Sequence, residues 1–272
     1  MIGAIIGDIA GSTYEFSNIK TKRFPLMVPG SNYTDDSLMT IAVGKALMDA
    51  ADHAGDFKVQ VVKSMREIAQ RYPCPKGGYG RRFRQWLVMP NPKPYGSYGN
   101  GSAMRVSACG EIATSLEMAL DLAKQSVEVT HNHPEGIKGA QAVAAAIYLA
   151  RIGEGKEGIR DYVRQHFYPL DRTVDEIRPR YSFDESCQGT VPQAITAFLE
   201  SVNFEDALRT AVSLGGDCDT LTDITCAIAW AFYSRDGVDA TMAMLRDNAV
   251  KLLNPDLRQI VNAWEGRYCK TK

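Results

Sequence analysis

The chain has 272 residues, with 31 lysines and arginines against 32 aspartates and glutamates and a hydrophobic share of 45%. That length and apolar share suit one or two domains with a large core and exclude a wholly disordered chain. The balanced charge excludes a bulk basic signal for a nucleic-acid backbone and an acidic solvating tail, although a local charged site can hide inside a neutral total.

The N-terminal stretch has no basic region, and Asp8 interrupts its apolar run early, so it does not read as a secretory signal. No run reaches the ~18 apolar residues that span a bilayer. Gly7 and Gly11, in Gly7-Asp8-Ile9-Ala10-Gly11-Ser12-Thr13-Tyr14-Glu15, let two segments approach closely. Glu15 is an isolated acid between Ile9 and Ile19; taken alone it reads as a surface residue. Pro25–Ser31 is a loop. Thr34-Asp35-Asp36-Ser37 then opens a helix over Leu38–Ala50, with Leu38, Ile41, Ala42 and Ala46 on its apolar face.

Val59–Glu67 continues as a helix, and breakers follow at Pro73–Gly78 and Pro90–Ser102. Within Tyr95–Arg105, small residues run into a helix expected to start near Ser102. The backbone N–H groups of such a loop can cradle a phosphate, although a turn with a serine cap explains the same residues. It is not a Walker loop, because no Gly-Lys-Ser/Thr follows. His131 and His133 lie two apart with no third histidine or cysteine ligand nearby, which is weak for a metal. An imidazole there either meets a ligand or packs in the core. Pro134 starts a helix with Ile137, Ala140, Ala144, Ile147 and Tyr148 on one face, and Pro169–Ser186 is irregular. Finally Gly215-Gly216-Asp217-Cys218-Asp219-Thr220 opens an apolar helix through Phe232, with Asp223 one turn beyond Asp219.

Each acidic cluster taken alone is explained by helix capping and the helix dipole. Two clusters supply more oxygens than caps need. If the two helix starts meet, the carboxylates repel one another unless protons or cations neutralise them. Carboxylate and hydroxyl oxygens favour Mg²⁺, Mn²⁺ or Ca²⁺ over Zn²⁺, and enough are present for two ions that clamp and polarise substrate oxygens. Helical periodicity throughout predicts an all-α chain with more than ten helices, forming one domain over residues 1–272. Six scattered cysteines with no CxxC pair read as reduced thiols and point to the cytoplasm.

Taken together, GDIAGSTYE at 7–15, TDDS at 34–37, GNGSAMR at 99–105, THNHPEGIKGA at 130–140 and GGDCDT at 215–220 resemble the ADP-ribosylglycohydrolase family, in the family's order. The resemblance implies a compact orthogonal helical bundle with two Mg²⁺ (or Mn²⁺) ions. Its implied ligands are Thr34, Asp35, Asp36, Asp217, Asp219 and Thr220. It implies Glu15, Asp35 and Asp219 as the catalytic carboxylates, and Ser97, Tyr98, Gly99, Asn100 and Gly101 as the loop that holds a diphosphate. It sets His131 near the ribose and adenine end. Cys218 stands where threonine is common, so oxidation sensitivity is expected there.

The activity this implies is hydrolysis at ribose C1 of an ADP-ribosylated protein or small conjugate, releasing ADP-ribose. ADP-ribosyl-arginine comes first, with ADP-ribosyl-serine and O-acetyl-ADP-ribose as further candidates. No membrane and no direct nucleic-acid partner is implied. Two other readings are a non-catalytic ADP-ribose-binding or structural protein of the same fold, and a two-metal phosphohydrolase that releases AMP.

Overall fold

Glycines spaced four apart set the centre of the molecule. In the computed structural model, which describes residues 1–53 and 55–269, Gly3, Gly7 and Gly11 line one face of the first helix. A Cβ at these positions would lie 2.4 Å from Cys226 O, 2.3 Å from Thr222 O and 2.6 Å from Cys218 O. Cys218, Thr222 and Cys226 are themselves four apart, so two helices run antiparallel with their backbones nearly touching. The expectation for Gly7 and Gly11 holds, and Gly3 extends the seam.

These two helices are α1 (Ile2–Gly11) and α12 (Cys218–Tyr233). Between them the chain forms α2 (Asp35–His53), α3 (Phe57–Arg71), α4 (Arg81–Val88), α5 (Ser107–Ile112) and α6 (Leu116–Glu128). There follow α7 (Pro134–Ile152), α8 (Lys156–His166), α9 (Val174–Ile177), α10 (Cys187–Glu200) and α11 (Phe204–Leu214). Helices α13 (Ala240–Leu252) and α14 (Pro255–Tyr268) complete the fold. Among the described residues there is no β-strand, only isolated bridges at Thr34–Lys76 and Gly99–Ser186. The all-α expectation is met. Among the described residues no helix is long and apolar enough to cross a membrane.

Every residue of α1 is buried, and α12 is buried from Cys218 through Ala229. Side chains from α2, α7, α10 and α11 join both in one apolar cluster that includes Leu38, Ile147, Phe198 and Phe204. Helix α7 starts at Pro134, whose missing N–H costs nothing there, and ends on Gly153 at φ 102°. One boundary differs from expectation. The segment after the glycine-rich loop is a single 3₁₀ turn at Asn100–Ser102, and α5 begins only at Ser107. The buried guanidinium of Arg105 takes up the Gly101 carbonyl at 2.8 Å, so that carbonyl bonds a side chain rather than a continuing helix.

Candidate active site

The start of α2 is capped by a residue from another helix. Asp8, on α1 and fully buried, accepts the Thr34 N–H at 2.9 Å, the Thr34 hydroxyl at 2.8 Å and the Ser37 N–H at 3.1 Å. It also accepts the Ser37 hydroxyl. Burial pushes the Asp8 carboxyl above the usual range, and these four donors pull it back. The Thr34 hydroxyl also accepts the Asp36 N–H at 3.1 Å. Asp35 and Asp36 therefore leave the first turn of α2 from a tightly fixed backbone.

The second cluster is shaped by Gly215 and Gly216, with φ of 69° and 74°, a left-handed pair that turns the chain sharply into α12. Asp217, just before the helix, accepts the Asn100 amide at 2.7 Å, while that same amide donates to the Thr190 hydroxyl at 3.0 Å. Asp219 and Thr220 lie in the first turn and are buried. One oxygen each from Glu15, Asp217 and Asp219 lie within 4.8 Å of one another.

The two helix starts meet. Burial, then the Asp8 charge, push Asp35 well above the usual carboxylate range. Burial and the Asp219 charge do the same to Asp36. Burial and the charges of Asp217 and Glu15 raise Asp219. Glu15, half-buried, is raised to about 7 by burial and by Asp217. Its Oε2 is buried without a hydrogen-bond partner, as is Asp36 Oδ2. Buried carboxylate oxygens without donors are costly unless a proton or a cation meets them. The oxygen-rich donors, the repulsion and the two orphaned oxygens together fit hard divalent cations.

Glu15 is held from the other side. Asn18 donates to the carbonyls of Tyr14 at 2.6 Å, Glu15 at 2.9 Å and Gly216 at 3.0 Å, and accepts the Gly216 N–H at 2.7 Å. The Glu15 loop and the Gly215–Gly216 turn are thus one unit. Sequence reasoning missed Asn18 and the cap made by Asp8. Asp8 carried a signal, because a charge inside the apolar run Ile2–Ala10 needs an internal partner. Asn18 carried none. Asp223, whose spacing from Asp219 was noted, is fully buried with both oxygens unpaired, and burial raises it well above the carboxylate range.

The glycine-rich loop lies beside this cluster, joined to it through Asn100. Several of its backbone donors are already used. Gly96 N–H bonds Asn132 Oδ1 at 2.8 Å, Gly99 N–H bonds Ser97 Oγ at 3.2 Å and Asn100 N–H bonds Glu185 O at 2.7 Å. Tyr98 presents a half-exposed ring near His133. His131 is buried, and a Cβ at Gly101 would lie 3.4 Å from its Nε2. Its Nδ1 pairs with the Thr130 hydroxyl at 2.8 Å, and that hydroxyl takes a hydrogen bond from Arg105 at 2.7 Å. Burial and Arg105 hold the imidazole well below its usual pKa, hence neutral. The Thr130 hydroxyl also donates to the Val127 carbonyl at 3.4 Å, so Arg105, Thr130 and His131 form one buried chain, and the ring's Nε2 faces the loop.

Cys218 corrects one expectation. Its thiol is fully buried 3.9 Å from Val212 O, and burial beside Asp219 pushes its pKa upward. An inaccessible, protonated thiol is a poor target for oxidation.

Residues 1–268 match the family model described as ADP-ribosylglycohydrolase. ADP-ribosylhydrolase ARH3 of Mus musculus is 28% identical over 318 aligned residues, covering 88% of this chain and 84% of that protein. The ADP-ribosyl-[dinitrogen reductase] glycohydrolase of Rhodospirillum rubrum is 24% identical over 264 residues, covering 87% and 85%. A solved ADP-ribosylglycohydrolase-related protein complex superimposes with a TM-score of 0.68 at 21% identity, over 96% of this chain and 94% of the other.

Proposed function

The chain belongs to the ADP-ribosylglycohydrolase family and is an enzyme of that class, and we propose that it cleaves the ribose C1 bond of ADP-ribosyl-arginine, or of another ADP-ribose conjugate, using two Mg²⁺ or Mn²⁺ ions. The observation that carries this reading is the pair of buried, unpartnered oxygens, Glu15 Oε2 and Asp36 Oδ2, inside a converging group of acids. Thr34, Asp35, Asp36, Asp217, Asp219 and Thr220 would hold the ions, which would supply positive charge to bind and polarise the ribose hydroxyls.

The protein's own groups account for the remainder. Breaking the C1 bond builds oxocarbenium character on the ribose, and the carboxylates of Asp35 and Asp219 favour that charge when they are ionised. Glu15, with a pKa raised to about 7, is poised to take a proton from water or give one to the leaving group near neutral pH. Ser97 to Gly101 hold the diphosphate through the donors not already bonded within the loop. Arg105 sets a buried positive charge behind them, within hydrogen-bond reach of Gly101 O. Neutral His131 lines the same wall with its Nε2 toward Gly101. The unit is one domain over residues 1–272, of which residues 54 and 270–272 lie outside the described residues. A cytoplasmic location suits its six thiols, four of them buried.

The test is product analysis of ADP-ribosyl-arginine, ADP-ribosyl-serine and O-acetyl-ADP-ribose, with and without Mg²⁺. Metal-dependent release of intact ADP-ribose from at least one supports the reading. Release of AMP, or binding of ADP-ribose without turnover of any conjugate, overturns it. Full activity in Asp35→Ala or Asp219→Ala would remove the metal assignment.

A further inference from the structure

The charge balance of the whole chain conceals a local excess. Residues 57–93, covering α3, α4 and the loop after them, hold nine lysines and arginines against one acid, Glu67. Most of this charge is not neutralised at home. Among the described residues, Lys76, Arg81, Arg82, Arg84 and Lys93 make no ion pair, and Arg66 spends its Nε on the Leu87 carbonyl at 3.1 Å.

The same segment forms a groove. One stretch, of about 670 Å³, is lined by Lys58, Lys63, Arg66 and Lys93 with Val59, Val62 and Val129 as its apolar floor. Glu67 also lines it, 4.0 Å from Lys63, and Lys58 pairs with Glu128 at 2.6 Å, which among the described residues leaves Arg66 and Lys93 as its unpaired cations. A second, of about 460 Å³, shares Arg66 and Gln70 with the first and continues past Arg84 and Val88 to Tyr79. Val59 and Val88 are 61% and 78% exposed, an unusual outlay of apolar surface between cations. The far end lies close along the chain to residues that meet the acid cluster. Tyr79 lies two residues from Gly77, where a Cβ would be 3.2 Å from Glu15 Oε2. Lys76, next along the chain, bridges to Thr34.

We propose that this groove is a docking surface for an acidic segment of the ADP-ribosylated protein substrate, with Asp or Glu side chains on the cationic walls and aliphatic ones on the valine floor. The inference rests on the reading of the site as one that hydrolyses ADP-ribose conjugates. Charge complementarity selects the occupant, because opposite potentials steer and orient an incoming partner. A single-stranded nucleic acid shares the charge but needs exposed aromatic platforms for its bases. The floor is aliphatic instead, and the ring at its end, Tyr79, is 5% exposed.

The experiment compares two labelled peptides of one length, Glu/Leu-rich and Gln/Leu-rich, by fluorescence anisotropy with the full chain. The acidic peptide is expected to bind at least about tenfold tighter at low salt, and the advantage to vanish as salt shortens the screening length. The variant Lys63→Glu/Arg84→Glu/Lys93→Glu loses that preference. It hydrolyses free ADP-ribosyl-arginine within about twofold of the unaltered chain, because its changes touch only exposed side chains. On an acidic ADP-ribosylated peptide its KM rises about tenfold with kcat unchanged, the mark of lost uniform binding. Equal binding of the two peptides, an unchanged KM, or tighter binding of single-stranded RNA overturns the proposal. Failure of the underlying reading looks different: the unaltered chain then turns over no conjugate, whatever the peptides do.

Discussion

Asn18 grips Gly216 from both sides, its Oδ1 accepting the Gly216 N–H at 2.7 Å and its Nδ2 donating to the Gly216 carbonyl at 3.0 Å. Through the same amide it also holds the Tyr14 and Glu15 carbonyls. The loop bearing Glu15 is thereby fixed to the turn that launches Asp217 and Asp219. Asn18→Ala removes this link without touching a carboxylate. Because misplacing a reacting group by an ångström costs about a hundredfold, kcat is expected to fall by about ten- to a hundredfold. Mn²⁺ affinity, read by isothermal titration calorimetry, should change much less. Retained kcat would show that Glu15 needs no such anchor.

Asp8 makes a second prediction. Its carboxylate is the N-terminal acceptor for α2, although it belongs to α1. Asp8→Ala leaves two N–H groups and two hydroxyls without their acceptor in a buried place. Hydrogen bonds to a charged group are worth about 1.5–3 kcal/mol each and are not additive, so a loss of about 3–5 kcal/mol is expected in urea unfolding. Asp8→Asn keeps one acceptor oxygen but sets an NH₂ against other donors, so it should recover only part of the loss. A change below about 1 kcal/mol in Asp8→Ala would show that the first turn of α2 is held by its own packing.

These two residues mark where the sequence was legible and where it was not. The acids at 34–37 and 215–220 stood out because two caps do not need so many oxygens, and their convergence follows from the antiparallel α1–α12 seam, of which Gly7 and Gly11 announced the close approach but not the partner. Helix existence was readable from apolar spacing for α2, α7 and α12, whereas the four-residue α9, with its Thr173–Glu176 capping box, falls inside Pro169–Ser186, a stretch read as irregular. The boundary near Ser102 was not, because Arg105 satisfies the Gly101 carbonyl in place of helix bonding. Asn18 was invisible for a related reason: its four partners come from segments about 200 positions apart as well as from its own loop, and no local pattern encodes such a contact. Asn100 stands in the glycine-rich loop, and the bracing of Asp217 by its side chain was not legible there.

The acid cluster makes stability depend on pH in a direction that can be worked out. Burial raises Glu15 from its ordinary 4.5 to about 7, and raises Asp35, Asp36 and Asp219 well above 3.8. In each case the folded chain binds the proton more tightly than the unfolded chain. The stabilisation is complete below the unfolded values and is lost as pH rises through the folded ones, which for Glu15 lies at about 7. The chelated protein should therefore melt at a lower temperature at about pH 8 than at about pH 5.5. Added Mg²⁺ should raise the melting temperature more at the higher pH, where it no longer competes with protons. Glu15→Gln removes one of the repelling charges, so the chelated variant should be less sensitive to pH while losing turnover. Parallel melting curves with and without metal would contradict the cation reading of the cluster.

The α1–α12 seam supplies the last prediction. Gly7 has no space for a side chain: a Cβ would lie 2.3 Å from Thr222 O and 2.8 Å from the Asp223 Cα, both main-chain atoms that cannot swing away. Gly7→Ala therefore forces the helices apart, against a helix-propensity gain of only about 1 kcal/mol. Overpacking of a close-packed interior costs about 1–3 kcal/mol or more. The displacement carries a functional consequence, because Asp8 lies next to Gly7 and Asp219 and Asp223 lie on the opposing helix. Separating them moves the cap of α2 relative to the second acid cluster. Gly7→Ala should lower both the urea midpoint and the Mn²⁺ affinity, whereas Gly266→Ala, at a position with open space around it, should lower neither. If Gly7→Ala lost stability but kept its metal affinity unchanged, the two helix starts would be held together by contacts other than this seam.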